Sequence, residues 1–590
     1  MREAGLSAYV VPSSDPHQSE YPPEHWKSRQ WISGFEGSAG TVVVTLETAG
    51  LWTDARYYLE AEEALDGTPI SLFRAGQPEV PQYIEWLAQN LPAGSRVGFD
   101  ASVMALDTAR NLEARLSAAG VETAPWEDLF DGLWSPRPPL PDAAAYLISE
   151  DTVGESRSER LERLRGVMKK AGADVHLIAA LDDIAWTLNI RGSDVAFNPV
   201  VLAYLAVDET SATLFIDPGK LGPAERSALE SAGVAIWGYE ELWSYLEGLS
   251  ARTSVFYDPA RVSVRLSDTL PSDASHVERR NPATDFKARK NETELSNLRA
   301  CMVADGVAME RFLHWLEGRT GSSGAEPVAG ADAPRTERDV QEKLRELRAE
   351  QPGFVNESFE TIAGYGAHGA VVHYRVTPQS NATLEPGGVL LVDSGGQYLR
   401  GTTDITRTVM IGEPTDAVRS DFTLVLKAHI ALATTRFPTG TTGHQLDAIP
   451  RRVMWQRGAN YGHGTGHGVG FFLNVHEGPH RISAMPNAVT LEPGMIVSNE
   501  PGLYRAGRHG IRIENLVDIR KMSETDFGRF LGFETLTLCH IERSLIDTSM
   551  LTDEERQWVD SYHRMVWDRL GGELEEPIRS WLRGKTRPLE

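Results

Sequence analysis

The sequence predicts a multidomain chain of mixed α/β and α+β class. Two related α/β N-terminal domains, residues 1–140 and 141–290, precede a C-terminal α+β domain, residues 291–590, that ends in an extension over 535–590. Three observations predict this. The chain's length allows about three or four domains at roughly 100–200 residues each. The first half carries one duplicated pattern, and the second half carries another.

In the first half, an apolar run at Ala8–Val11 precedes Trp31-Ile32-Ser33-Gly34-Phe35-Glu36-Gly37-Ser38. Another at Val175–Ala180 precedes Trp186-Thr187-Leu188-Asn189-Ile190-Arg191-Gly192-Ser193. Each is followed by a β-branched run, Thr41–Leu46 and Val200–Val207, and later by Arg96–Asp100 and Ser254–Asp258. From Trp31 to Asp100 is 69 residues, and from Trp186 to Asp258 is 72. Helical patterns at Pro81–Asn90, Leu161–Lys170 and Pro223–Ala232 alternate with these strands, so each copy reads as α/β. A proline-rich linker at Ser135–Pro141 separates the copies. Trp31 and Trp186 read as core side chains.

An amphipathic stretch, Asn291–Glu317, opens the second half, with Leu295, Leu298, Met302 and Met309 as its apolar stripe. Gly318–Pro334, rich in Gly, Ser, Ala and Pro, reads as a flexible surface insertion. Thr336-Glu337-Arg338-Asp339 is a capping signal for the next helix. Then comes the second repeat. Leu384-Glu385-Pro386-Gly387 leads into an apolar run ending at Asp393, and Leu491-Glu492-Pro493-Gly494 into one ending at Glu500. Each carboxylate lies nine residues after its Leu. Asp404 follows Asp393 by 11 residues, and Glu514 follows Glu500 by 14. Two related halves thus offer two carboxylates each to one cleft.

Composition narrows the classes. The chain is 41% apolar and 24% charged, ordinary for a globular protein, with a formal net charge of −25. That charge argues against nucleic acid or an anionic membrane as main partner and reads as a solvated surface. The two cysteines, Cys301 and Cys539, allow neither a disulfide framework nor a cysteine-type zinc cluster, which suits a cytoplasmic protein. The start, with Arg2 and Glu3 before a short apolar run, is no secretory signal, and no apolar stretch reaches the roughly 20 residues of a membrane helix.

A carboxylate backed by an apolar strand is costly unless paired or metal-bound, and four in one place cannot all stay ionised without cations. Two divalent ions solve that problem. The imidazoles come from Tyr461-Gly462-His463-Gly464-Thr465-Gly466-His467-Gly468-Val469-Gly470. Its glycines exclude a regular helix, so this is not the helical HExxH pattern of zinc proteases. His373 and His476 add two more imidazoles. Any one of these carboxylates alone reads as a strand-end or surface acid; an ordered set inside a repeated frame does not.

In order, Asp393, Asp404, His467, Glu500 and Glu514, with Val392-Asp393-Ser394-Gly395, Thr403-Asp404, the glycine–histidine run, Asn499-Glu500-Pro501-Gly502 and Ile511-Arg512-Ile513-Glu514, resemble the pita-bread metallopeptidases. Within these the chain resembles the three-domain aminopeptidase P (Xaa-Pro aminopeptidase) family. His17–Tyr21, Ser33–Thr41, Trp52–Tyr57, Leu473–Pro479 and Trp581–Pro588 fit that subgroup, so the match covers nearly the whole chain. The Gly318–Pro334 insertion departs from it. The subgroup resemblance leads one to expect a helix ahead of this N-terminus, with the true start upstream.

The resemblance implies two creatinase-like N-terminal domains, a pita-bread catalytic domain and a homodimer. It implies that Asp393 chelates one metal, that Asp404 and Glu514 bridge two, and that His467 and Glu500 complete the second site. A water between the ions, acidified by both, would attack the peptide carbonyl, with Glu500 handling its proton. His463, His476 and His373 would orient substrate or stabilise the tetrahedral intermediate and leaving imino group, and Arg512 would hold Glu514 or its neighbours. Oxygen ligands with one histidine favour manganese over zinc. The implied substrates are peptides with proline at position 2.

The nearest rival is a prolidase, restricted to Xaa-Pro dipeptides; the duplicated first half disfavours it. A methionine aminopeptidase would lack both N-terminal domains. A metal-free pita-bread binding module or a creatinase-like enzyme would have lost several of the five ligand residues, all of which are present here.

Overall fold

A computed structural model describes residues 1–320 and 335–589. From residue 321 on, the Gly318–Pro334 insertion lies outside the described residues. The chain divides into two compact units, Met1–Lys287 and Ala288–Glu590.

The first unit contains the same sheet twice. Strands β1 (Ala8–Pro12), β2 (Thr41–Thr45), β3 (Ala49–Thr53), β4 (Ile70–Arg74), β5 (Arg96–Asp100) and β6 (Glu122–Trp126) are ordered β4-β3-β2-β1-β5-β6. Strands β7 (Val175–Ile178), β8 (Ala203–Asp208), β9 (Ala212–Ile216), β10 (Val234–Trp237), β11 (Ser254–Tyr257) and β12 (Ser275–Glu278) are ordered β10-β9-β8-β7-β11-β12. Strand directions agree pair for pair: antiparallel at β1/β2 and β7/β8, parallel at β1/β5 and β7/β11. The apolar runs pack as the alternation demands. Val10, Val43 and Phe99 share one core with Leu87 and Leu112 of the helices Tyr83–Asn90 and Leu106–Ser117, and with Tyr204, Phe215 and Val255 of the second sheet.

The two frame tryptophans part company. Trp186 is buried, with the Arg160 guanidinium 4.3 Å from its ring centroid. Trp31, expected in the core, is 44% exposed. It sits in a six-residue helix, Ser28–Ser33, and stacks on Trp134 at 5.7 Å. So short a helix covers little surface, and the tryptophan finds only a shallow aromatic cluster.

The second unit opens with α1 (Glu292–Thr320), whose stripe Leu295, Leu298, Met302 and Met309 is buried. Helix α2 (Glu337–Ala349) follows, with the expected capping box between Thr336 and Asp339. Strands β13 (Phe354–Glu357), β14 (Ile362–Tyr365), β15 (Gly388–Ser394), β16 (Gly396–Tyr398), β17 (Gly401–Thr402) and β18 (Ile405–Ile411) come next, with β15 central between β14 and β18. Helices α3 (Asp416–Ala433) and α4 (Gly443–Trp455) lead to β19 (Phe437–Pro438, between them), β20 (Gly466–Gly468), β21 (Glu477–Ile482), β22 (Ile496–Asn499), β23 (Gly502–Arg505), β24 (His509–Arg512), β25 (Asn515–Thr525) and β26 (Gly528–Thr535). The larger sheet is ordered β19-β26-β25-β22-β20-β21.

The repeated turns have one physical cause. Gly387 and Gly494 both take left-handed backbone, φ +104° and +85°, which swings each chain into its apolar strand. Each strand then pairs antiparallel with the one that begins just after the second carboxylate. Asp393 lies opposite Thr406 in β15/β18, and Asn499 opposite Asn515 in β22/β25. Register therefore places Asp393 and Asp404 at one end of the first pair, and Glu500 and Glu514 at one end of the second.

Candidate metal centre

Asp393, Asp404 and Glu514 are buried, and Glu500 and His467 are half-buried. Ligand atoms of Asp404, His467 and Glu514 all lie within 4.8 Å of one another. His467 Nε2 is 3.4 Å from Asp404 Oδ2 and 3.5 Å from Glu500 Oε1. Its Nδ1 faces the Gly468 carbonyl at 2.9 Å, which assigns the ring proton there and turns Nε2 toward the acids.

Hydroxyls fix the carboxylates. Thr406 Oγ1 donates to Glu514 Oε2 at 2.8 Å, and Ser498 Oγ to Glu500 Oε1 at 3.0 Å. Ser498 Oγ also accepts the His467 N–H at 2.9 Å, which couples the histidine strand to the Glu500 strand. Behind them the buried Arg407 holds the Glu514 carbonyl at 2.7 Å and the Asn515 side chain at 2.8 Å.

Arg512, expected to hold Glu514 or its neighbours, donates from Nε at 3.1 Å to the same Thr406 Oγ1 that holds Glu514. The strand ends at Arg512, and its Nη2 reaches Asp393 Oδ2 at 2.5 Å. Its Nη1 donates to the Tyr504 hydroxyl at 2.6 Å, and that oxygen lies 2.8 Å from His463 Nε2. A chain of contacts thus runs from His463 through Tyr504 and Arg512 to Asp393. Tyr504 escapes a reading of the sequence. Only the β23/β24 register, with Gly502 opposite Arg512, brings it alongside. His476 packs edge-on to His467, ring centroids 4.3 Å apart. His373 follows Val372, whose carbonyl is 3.4 Å from Arg512 Nη2.

The electrostatics are those of a site short of positive charge. Burial, then Asp404 and Asp393, push the Glu514 carboxyl far above the usual range. Burial also lifts Asp393 to about 6, with Arg512 opposing and Asp404 and Glu500 adding to it. Burial alone would lower His467; its hydrogen bond to Asp404 and the charge of Glu500 outweigh this and raise it to about 9. Asp393 Oδ1 is buried with no hydrogen-bond partner among the described residues. Four carboxylates answered by the Arg512 guanidinium and the imidazoles of His467 and His463 leave an excess of negative charge in a low-dielectric place. The orphaned oxygen and an oxygen-rich donor set with one imidazole fit hard divalent cations.

Residues 296–521 match metallopeptidase family M24, and 529–589 its C-terminal region. Residues 1–133 and 136–294 each match a creatinase/prolidase N-terminal domain. The whole chain is 40% identical to a probable Xaa-Pro aminopeptidase P of Laccaria bicolor, spanning 92% of it. It is 39% identical to aminopeptidase P2 of Arabidopsis thaliana over 99% of this chain and 86% of that one. Among solved structures, an X-prolyl aminopeptidase of Caenorhabditis elegans, described as a cytosolic enzyme with a di-nuclear active site, superposes with TM-score 0.93 at 34% identity, over 99% of this chain and 95% of that one.

Proposed function

Because the chain belongs to metallopeptidase family M24, with creatinase-type N-terminal domains ahead of a pita-bread catalytic unit, we propose that it releases the N-terminal residue from peptides whose second residue is proline. The observation that carries this is the carboxylate set at the ends of the two repeated strand pairs, in a chain alike over its full length to Xaa-Pro aminopeptidases.

Asp393, Asp404, His467, Glu500 and Glu514 are the residues that would hold two divalent ions. Bound there, such ions supply Lewis acidity toward the scissile carbonyl and make water a stronger acid. The protein's own groups do the rest. Glu500, kept in place by Ser498, takes the proton of the attacking water at its carboxylate. His463, tied to Tyr504, and His476 and His373 orient the peptide and steady charge on the carbonyl oxygen and leaving imino nitrogen. Arg512 holds Asp393 in one orientation.

Manganese is the metal the donor chemistry favours, since carboxylates outnumber imidazoles. A cytoplasmic location accords with the worm relative's description and with two buried, unpaired cysteines. A homodimer follows from the resemblance and is read directly by light scattering. Replacing Asp404 tests the site: Asp404→Ala is expected to lose bound metal by elemental analysis and to lose peptidase activity together. Unchanged metal content and activity would remove the dinuclear assignment.

A further inference from the structure

Away from the carboxylate set, a single buried acid gathers the segment that carries His373. Glu337 is the first residue of α2 and is fully buried. Four donors converge on it. Its Oε1 accepts the Tyr365 N–H at 2.7 Å and faces His368 Nδ1 at 2.8 Å. Its Oε2 accepts the Tyr374 hydroxyl at 2.8 Å and the Ala382 N–H at 2.9 Å. A carboxylate taken out of water must recover its lost hydration through hydrogen bonds. Here the donors all come from residues 365–382, so satisfying one side chain dictates the path of that whole segment.

The closure is tight around His373. The rings of His368 and Tyr374, both fastened to Glu337, stack on each other with centroids 4.5 Å apart and planes at 21°. They close the short stretch between them into a loop. On the other side, Val372 touches Arg512 through its carbonyl. His373 is thus bracketed by one neighbour tied to the Asp393 partner and another tied to Glu337.

We propose that Glu337 is a positioning residue for His373, holding its loop through His368 and Tyr374 so that the imidazole is presented from a fixed backbone. This rests on the role given to His373 above. Among the described residues, no hydrogen bond or ion pair joins the Glu337 carboxylate to the five ligand residues. Its effect passes through the loop. A carboxylate that merely stabilised the fold would show no special coupling to His373.

A double-mutant cycle on the full-length, manganese-loaded protein separates the two, with an Xaa-Pro-Xaa tripeptide as substrate. Glu337→Gln keeps the shape but turns one acceptor into a donor. It is expected to lower kcat by about 10–100-fold, the scale of a small misplacement, with KM and metal content little changed. The double variant with His373→Ala is expected to be no slower than His373→Ala alone, because the two changes remove the same contribution. Tyr374→Phe, which leaves the buried charge in place, is the second probe. A several-fold loss of kcat is expected, again absent when His373 is already alanine. Losses that multiply in the double variants, or a Glu337→Gln enzyme as fast as the parent, overturn the proposal. If His373→Ala alone leaves kcat unchanged, it is the role of His373 that fails, and the positioning role falls with it.

Discussion

Arg512 and Asp393 divide one carboxylate between two uses. The guanidinium takes Oδ2 at 2.5 Å, and Oδ1 is left buried without a hydrogen bond among the described residues. Under the proposed function, the pair orients the acid and leaves one oxygen for a cation. Arg512→Met is expected to cost roughly 10–100-fold in kcat/KM or metal affinity, the usual scale for a residue that orients a ligand. It is also expected to destabilise the fold by about 3–5 kcal/mol, since a buried carboxylate loses its partner. Kinetics at saturating metal and a denaturant titration read the two effects. An enzyme with parental kcat/KM and parental metal affinity sinks the idea.

Tyr504→Phe separates the hydroxyl from the ring. The hydroxyl joins Arg512 to His463, whereas the ring stays half-buried. A fall of about 10–100-fold in kcat is expected, on the scale of a lost acid–base or orienting contact, with a stability change of only about 1 kcal/mol. Equal kcat in parent and variant would show that the contact chain is structural.

Gly466→Ala tests how closely two strands must approach. A Cβ at Gly466 would stand 1.9 Å from the Ser498 carbonyl oxygen, a backbone atom that cannot turn aside. The strand of His467 has to move off the strand of Glu500. A loss of about 3 kcal/mol or more is expected, together with weakened manganese binding by calorimetry. Parental stability and parental metal affinity would contradict this.

His176 makes the first unit acid-sensitive. It is fully buried in β7, stacks on Phe256 at 4.6 Å, and neither ring nitrogen has a hydrogen-bond partner among the described residues. Burial pushes it down to about 3 from an ordinary value of 6.5. The unfolded chain therefore takes up a proton that the folded one refuses. The folded state keeps its full stability above pH 6.5 and loses it as pH falls from there toward 3. The loss is roughly 3 kcal/mol at pH 4. His176→Phe keeps the stack and removes the proton site. Its advantage over the parent in guanidinium melts is expected to grow between pH 7 and pH 4. A constant advantage at both values rules the explanation out.

Much of this was legible in the sequence, and for identifiable reasons. Turn chemistry and strand hydrophobicity are local, so the two Leu-Glu-Pro-Gly turns announce β15 and β22 and the carboxylates at their ends. The duplicated first half showed itself in spacing, and both of its sheets have one strand order. Thr336 reads as a cap because a capping box spans only four residues. What stayed hidden depends on register or tertiary closure. Tyr504 reaches Arg512 only through the β23/β24 pairing. Arg512 meets Asp393 across 119 residues of chain, a closure no local pattern announces. Glu337 looks like an ordinary first-turn acid until four distant donors close on it. Trp31 misled for the converse reason: its frame is repeated, yet its surroundings are not.

This centre is expected to cut the bond before a penultimate proline. A length series tests it most directly: the manganese-loaded protein is offered Xaa-Pro dipeptides, Xaa-Pro-Xaa tripeptides and longer peptides, and free N-terminal residue is measured. Release from the tripeptide and longer peptides, with dipeptides left nearly intact, is the predicted result. Intact tripeptides, or cleavage confined to dipeptides, would contradict it.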